Sequence, residues 1–115
     1  MSYHIEIISP QRLEYKNDID LCIVPGVDGD VGVLSNHTPY VTTMRIGILY
    51  IYIEKKLEET FLVTKGVLEF SNNKCTILTE EICKSSTITS GQQFDEDPSE
   101  IRQLKKKAVE TLYYS

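Results

Sequence analysis

The sequence predicts a mostly β chain: a β-sandwich domain over residues 1–86, a linker over 87–97 and a single C-terminal helix over 98–115. Three observations carry this. Through the first two-thirds, apolar and polar residues alternate with a period of two, the mark of half-buried strands. Turn signals recur between short β-branched and aromatic runs, the spacing of sandwiches and barrels. Helical periodicity is missing between residues 3 and 83, and no βαβ rhythm interrupts the run.

Each element has its own warrant. "YHIEIIS" places Tyr3, Ile5 and Ile7 on one face and His4 and Glu6 on the other, and "SPQR" turns the chain. "DIDLCIVPG" reads as one strand, with Ile19, Leu21 and Ile23 on one face and Cys22 and Val24 opposite. "YVTTMRIGILYIYIEKK" is rich in residues that suit a pleated surface, and Gly47 within it marks a bulge, a bend or a close backbone approach. Its alternation sets Leu49, Ile51 and Ile53 against Tyr50 and Tyr52, whose face is either core or an aromatic patch for a partner. "KKLEE" is a polar hairpin end, "TFLVTKGVLEF" a strand pair or bent strand kinked at Gly66, and "SNNK" a turn, because Asn tolerates positive φ. "CTILTEEI" closes the set. After Cys83 the chain becomes polar and rich in Ser, Thr and Asp, as a linker is. "DPSEIRQLKKKAVETLYYS" then starts a helix, with Asp97 at the N-cap, Pro98 at the first helical position and Glu100 completing a capping-box-like pattern. Ile101, Leu104, Ala108 and Leu112 form its apolar stripe, to be buried on the sandwich or on a partner, and Arg102 and Lys105 to Lys107 form a basic flank.

Bulk properties narrow the function. A chain of 115 residues makes one domain with at most a small appendage. Its net charge of −5, from 12 basic and 17 acidic side chains, argues against nucleic acid as a partner, since phosphate backbones reward dense Lys and Arg. "MSYHIEIIS" has no signal-peptide pattern, and no window approaches the ~20 apolar residues of a membrane span, so a soluble chain is expected. Cys22, Cys75 and Cys83 form no close pair in sequence, which argues against a disulfide framework and against a structural zinc site; a reducing compartment fits.

The stretch "PGVDGDVGVLSNHTP" invites three chemical readings. Its glycines, Gly26, Gly29 and Gly32, fall at G-x-x-G-x-x-G rather than the dinucleotide spacing, and no helix follows to meet a pyrophosphate. They read instead as turn-formers with positive φ, alongside Gly47 and Gly66 at their kinks. His37 has Ser35 and Asp30 near in sequence but no nucleophile elbow, and a histidine bonded to loop backbone is the plainer reading. No residue set builds an active site, and neither a cofactor nor a metal is expected. The residues by themselves describe a small sandwich that binds rather than catalyses; the alternative is a free-standing ligand-binding or small enzyme domain using His37.

The same stretch, extended through "YVTTMRIGIL", resembles the signature region of the epsilon subunit of the F-type ATP synthase, in its bacterial form. That pattern reads P-G-x-x-G-x-x-G-(V/I)-L-x-x-H-x-P and then L-x-x-G-x-L, matched by Pro25, Gly26, Gly29, Gly32, Val33, Leu34, His37, Pro39, Gly47 and Leu49. Downstream, "FLVTKGVLEFSNNKCTILTEE" is similar to a second family segment through Phe61, Val63, Gly66, Glu69, Asn73, Thr76, Leu78 and Glu80. The resemblance implies a ten-stranded sandwich at the foot of the central stalk, bound to the gamma subunit and the c-subunit ring. It implies a non-catalytic rotor subunit that couples proton translocation to ATP synthesis on the cytoplasmic face of the bacterial membrane, with membrane association only through the complex. Gly29, Asp30, Val31, Gly32 and His37 would form the loop facing the ring, with Asp30 meeting basic loop residues. Two departures stand out. A family Gly-Gly is Lys65-Gly66 here, and residues 98–113 suffice for one helix, not the hairpin that in other members reaches the alpha and beta subunits and inhibits hydrolysis. "SEIRQLKKKA" also lacks the motif linked to ATP binding in some members.

Overall fold

Tyr3, Ile5 and Ile7 are buried to within 3% exposure, as their alternation requires, and they belong to a layer built entirely of strands. The structure, a computed structural model, describes residues 1–85. The expected linker and the helical stripe of Ile101, Leu104, Ala108 and Leu112 lie outside the described residues. Ten strands run in order: β1 (Tyr3–Ile8), β2 (Leu13–Ile19), β3 (Leu21–Gly26), β4 (Gly29–Leu34), β5 (Tyr40–Met44), β6 (Gly47–Ile53), β7 (Lys56–Val63), β8 (Gly66–Ser71), β9 (Lys74–Thr79) and β10 (Ile82–Lys84). They confirm the mostly β class and the ten-stranded sandwich.

Neighbours follow the order β10-β7-β6-β3-β5-β8-β9-β1-β2, with β4 added beside β3. The sheet folds over at β3. Leu21 to Ile23 pair with β6, and at the far end Gly26 alone pairs with Met44 of β5. One layer is therefore β10-β7-β6-β3-β4 and the other β5-β8-β9-β1-β2. Every pairing is antiparallel except β1 with β9, where His4 lies opposite Lys74 and Ile8 opposite Leu78. Cys22, Val24, Val33, Leu49, Ile51, Phe61 and Val63 fill the core from the first layer; Ile5, Ile7, Ile19, Met44, Leu68, Phe70 and Ile77 meet them from the second. The Tyr15 ring meets Phe61 edge-on at 5.2 Å and closes the gap between layers.

The expected single strand through "DIDLCIVPG" is corrected. Asp20 separates β2 from β3, and the side-chain alternation changes phase across it. Ile19, Cys22 and Val24 all face the core, while Leu21 and Ile23 are half-buried on the outer side. Asp20 is held at the break by its own backbone N–H donating to the Tyr52 carbonyl (3.0 Å) and by its carboxylate accepting from the Glu54 N–H (2.6 Å). The run from residue 40 to 56 likewise divides into β5 and β6 at a corner formed by Arg45 and Ile46. Leu49 and Ile51 are in the core, so the tyrosine face is the outer one.

Two hairpins use positive φ without glycine. Asn72 and Asn73 (φ 50° and 55°) turn β8 into β9, as the "SNNK" reading required; Glu54 and Lys55 (φ 52° and 66°) turn β6 into β7.

Candidate functional site: the hairpin tip

β3 and β4 form a hairpin in register from Leu21↔Leu34 to Gly26↔Gly29, with Val27 and Asp28 at its tip. Of the five glycines expected to make turns, only Gly29 adopts positive φ (131°). Gly26, Gly47 and Gly66 owe their identity to close approach instead. A Cβ on Gly26 would lie 2.7 Å from the Gly29 carbonyl oxygen, one on Gly47 2.7 Å from the Pro25 Cβ, and one on Gly66 1.9 Å from the Leu78 carbonyl oxygen. Gly32 has neither reason: its φ is ordinary and the nearest atom to an added Cβ is Leu21 Cδ1 at 3.8 Å.

The tip is fixed on the β5–β6 corner. Val27 N–H donates to the Thr43 carbonyl (3.0 Å), and Arg45 N–H donates to the Pro25 carbonyl (2.8 Å). The Arg45 guanidinium donates through Nη1 to the Gly26 carbonyl (2.5 Å) and through Nη2 to Asp30 Oδ1 (2.7 Å). Asp30 thus stands on the surface with a cation already beside it; the two side chains are 58% and 45% exposed. Burial, and after it the charge of Asp30, raises the Tyr50 phenol above its ordinary value. Val31 packs toward the core, and Leu49 and Ile51 are buried, so Asp30 on β4 and Tyr50 on β6 share the outer face of the layer that β3 joins. Across that face run Leu34, Leu21, Tyr52 and Leu57 in a cross-strand row, with Leu34 and Leu57 more than half exposed. The opposite layer carries a comparable row of Val67, Leu78, Ile8 and Leu13, beside a groove of ≈ 520 Å³ lined by Pro10, Thr43 and Lys65 among others.

His37 does not join Asp30. β4 separates them, and at about 3.3 Å per residue the four steps from Asp30 to Leu34 alone span roughly 13 Å. Val31 is half-buried between them, its side chain packed toward the core. His37 N–H donates to the Leu34 carbonyl (3.2 Å), and its ring Nδ1 donates to the Thr38 carbonyl (2.6 Å). The ring meets Tyr40 and Phe70 edge-on at 5.7 and 5.8 Å. Ser35, its sequence neighbour, is engaged elsewhere, donating to the Ser2 carbonyl or to Asn73 Oδ1 at 3.4 Å. Asn73 also accepts from Asn36 N–H (2.8 Å) and donates to the Ser2 carbonyl (3.2 Å), which ties this end of β4 to the start of β1.

Arg45 is the tip residue that sequence reasoning missed. An isolated Arg in a β-rich run reads as a solvated side chain, and its partners are 15 and 19 positions away. The available signal was Pro25: it has no N–H to offer a neighbouring strand, and its carbonyl still needs a donor.

Comparisons with known proteins agree on one family. Residues 2–85 match the model described as "ATP synthase, Delta/Epsilon chain, beta-sandwich domain". An ATP synthase epsilon chain of Rhodospirillum rubrum is 34% identical over 76 residues, covering 66% of this chain and 57% of that one. One of Paramagnetospirillum magneticum is 31% identical over 104 residues, covering 90% and 71%. One of Leptospira interrogans is 42% identical over 76 residues, covering 66% and 59%. The match therefore spans less than two thirds of the length of the Rhodospirillum and Leptospira relatives. Among solved structures, a chain of the Euglena gracilis mitochondrial ATP synthase (OSCP/F1/c-ring) has TM-score 0.71 at 15% identity, covering 95% of this chain and 75% of that one. A chain of the Tetrahymena thermophila central stalk/c-ring structure has TM-score 0.65 at 14% identity, covering 97% and 96%. At such identities these two show a shared fold. With residues 2–85 matched by that family model and the three relatives bearing one name, the chain belongs to the epsilon-chain family of the ATP synthase.

Proposed function

We propose that the chain is a non-catalytic rotor subunit of the central stalk, binding the gamma subunit and the c-subunit ring and so coupling proton translocation to ATP synthesis on the cytoplasmic face of the bacterial membrane. The observation that carries this reading is the hairpin tip: an exposed turn with Val27 and Asp28 at its apex, pinned by Arg45, at one end of a sandwich whose two outer faces each carry an exposed apolar row within residues 1–85. A pinned tip bearing Asp28 and Asp30 suits the polar loops of a ring, and the apolar rows suit a subunit that holds the sandwich from the side. The two similar structures, one an assembly of OSCP, F1 and c-ring and one a central stalk with its c-ring, support the same assignment. The contact segment is then Gly29, Asp30, Val31 and Gly32, which form the tip end of strand β4 rather than a loop, with His37 beyond the other end of that strand. The C-terminal stretch with Ile101, Leu104, Ala108 and Leu112 is proposed to modulate hydrolysis, through the alpha and beta subunits.

The test is co-expression. This chain should co-purify with its gamma subunit, and failure to form a complex at micromolar concentration would refute the assignment. Deleting residues 98–115 and assaying ATPase activity of the assembled enzyme tests the modulation; unchanged activity removes it. The alternative built on His37 finds no support in its surroundings: its Nδ1 bonds the Thr38 carbonyl, Ser35 is engaged with Ser2 and Asn73, and Asp30 lies at the other end of β4.

A further inference from the structure

We propose that Arg45 is the positioning residue of the hairpin tip, and that the recognition unit offered to the ring is the Asp30–Arg45 pair rather than Asp30 alone. This deepens the reading above and rests on it. Three groups of one residue reach both strands of the hairpin: the backbone N–H to Pro25, and two guanidinium nitrogens to Gly26 and Asp30. The corner is shaped for that grip. Gly26↔Met44 is the one register pair between β3 and β5, and Gly47 lets Pro25 sit where a Cβ would collide with it. Beside Arg45, the Val27 N–H donates to the Thr43 carbonyl, and Gly26 pairs with Met44.

The pairing changes what a partner meets. A basic loop side chain approaching Asp30 must share its carboxylate with a guanidinium already at 2.7 Å, so attraction is weaker than for a bare aspartate. In return the carboxylate is held at a fixed position, and the guanidinium has donors left for a backbone carbonyl of the partner. Lysine could keep the charge but cannot span two acceptors with a planar fork.

Hydrogen exchange on the full chain tests the positioning directly. In Arg45→Ala the Val27 amide should exchange about tenfold faster, because the tip loses two of its anchors, while β8–β9 amides keep their wild-type rates. Arg45→Lys should recover only a small part of the protection. Unchanged Val27 exchange in Arg45→Ala, or full recovery in Arg45→Lys, overturns the proposal. Association of the chain–gamma complex with detergent-purified c ring, at about 50 and about 200 mM salt, tests the pair. Arg45→Ala should associate faster, from the uncovered acid, and dissociate roughly fivefold faster, from the loosened tip; an unchanged dissociation rate overturns the recognition role. A wild-type complex that does not hold the ring at all refutes the ring reading, and the exchange result still decides what Arg45 positions.

Discussion

Replacing Gly66 by Ala should destabilise the sandwich by about 3 kcal/mol, and the sign is not obvious in advance. Gly66 has ordinary φ, so alanine adds no backbone strain, and the stiffer unfolded chain alone favours it by about 0.4–1 kcal/mol. Space decides otherwise. The added Cβ lies 1.9 Å from the Leu78 carbonyl oxygen and 2.9 Å from both Leu78 C and Thr79 Cα, all of them backbone. A carbon needs about 3.3 Å from such an oxygen, so β8 and β9 must part by roughly 1.4 Å where Gly66 pairs with Thr79. The neighbouring bonds of the ladder would break, at about 1 kcal/mol each, and the buried polar knot beside them would be pulled apart, at about 1–3 kcal/mol. In that knot the Thr79 hydroxyl lies 3.1 Å from the Thr64 carbonyl and 3.0 Å from that of Glu81, and Glu81 N–H donates to Thr64 Oγ1 at 2.9 Å. With a urea m-value of about 2 kcal/mol per molar, the unfolding midpoint falls by ~1.5 M, readable by circular dichroism. Gly32→Ala is the matched control: with its nearest contact at 3.8 Å it should gain about 0.5 kcal/mol. If the two variants unfold within about 0.5 kcal/mol of each other, the close-approach reasoning for Gly66 is wrong.

Four further outcomes follow from local geometry. Tyr3→Phe removes the hydroxyl that donates to the Val33 carbonyl at 2.6 Å inside the core, and should cost about 1–2 kcal/mol in chemical denaturation; a loss-free variant would mean the bond adds nothing. Asn73→Ala cuts three side-chain bonds at Ser2, Ser35 and Asn36 and puts alanine at φ 55°, so about 2 kcal/mol and faster exchange of the Asn36 amide are expected. Replacing Glu54-Lys55 by Asn-Gly should raise stability by about 1 kcal/mol, since both positions already hold the positive φ that those residues prefer; a lower melting temperature would show that Glu54 and Lys55 do more than turn. Acid should destabilise the chain through Glu6 and Glu14. The hydrogen bond from His4, and then Lys74, hold the Glu6 carboxyl below the ordinary 4.5; Arg12, and then Ser9, do the same for Glu14. Depressed folded values mean that this stabilisation is present above pH 4.5 and lost as pH falls through them. Glu6→Gln with Glu14→Gln should flatten the melting temperature against pH below 4.5, whereas an unaltered acid slope would assign that stability elsewhere.

What could be read from the residues divides along the range of the forces involved. Tyr3, Ile5 and Ile7 were legible because one strand's pleat alone puts them on one face. Asn72-Asn73 was legible because positive φ is a property of the residue type. The phase change at Asp20 was not, because the apolar alternation continues through it, and what makes it a break is a pair of bonds to Tyr52 and Glu54 more than thirty positions away. The hairpin read at "KKLEE" lies too late in the chain: Lys56 to Glu59 already belong to β7, and the turn falls on Glu54-Lys55, which local preference disfavours. At the tip, Gly29 was legible as a turn residue, but the assignment of positive φ to Gly26 and Gly32 failed, since close packing against Gly29 accounts for the first and nothing among the described residues accounts for the second. Asp30 and His37 look adjacent in a string of letters; a strand between them puts them at opposite ends of β4. Lys65 in place of a family glycine costs nothing visible: it is exposed without positive φ, and Gly66 is the position where the backbone leaves no room.

The parallel pairing of β1 with β9 has a consequence in time. His4 lies beside Lys74, so β1 finds that neighbour only after some seventy further residues have been made. Until then β1 can join β2 in a local hairpin, but one of its edges and the apolar side chains of Ile5 and Ile7 stay uncovered. Closing so long a loop ahead of its reward is slow, which sets folding in the millisecond-to-second range of β-rich domains. Truncations that end before Thr79 leave β8 and β1 without the strand that joins them, so an apolar edge stays open to association until β9 is complete.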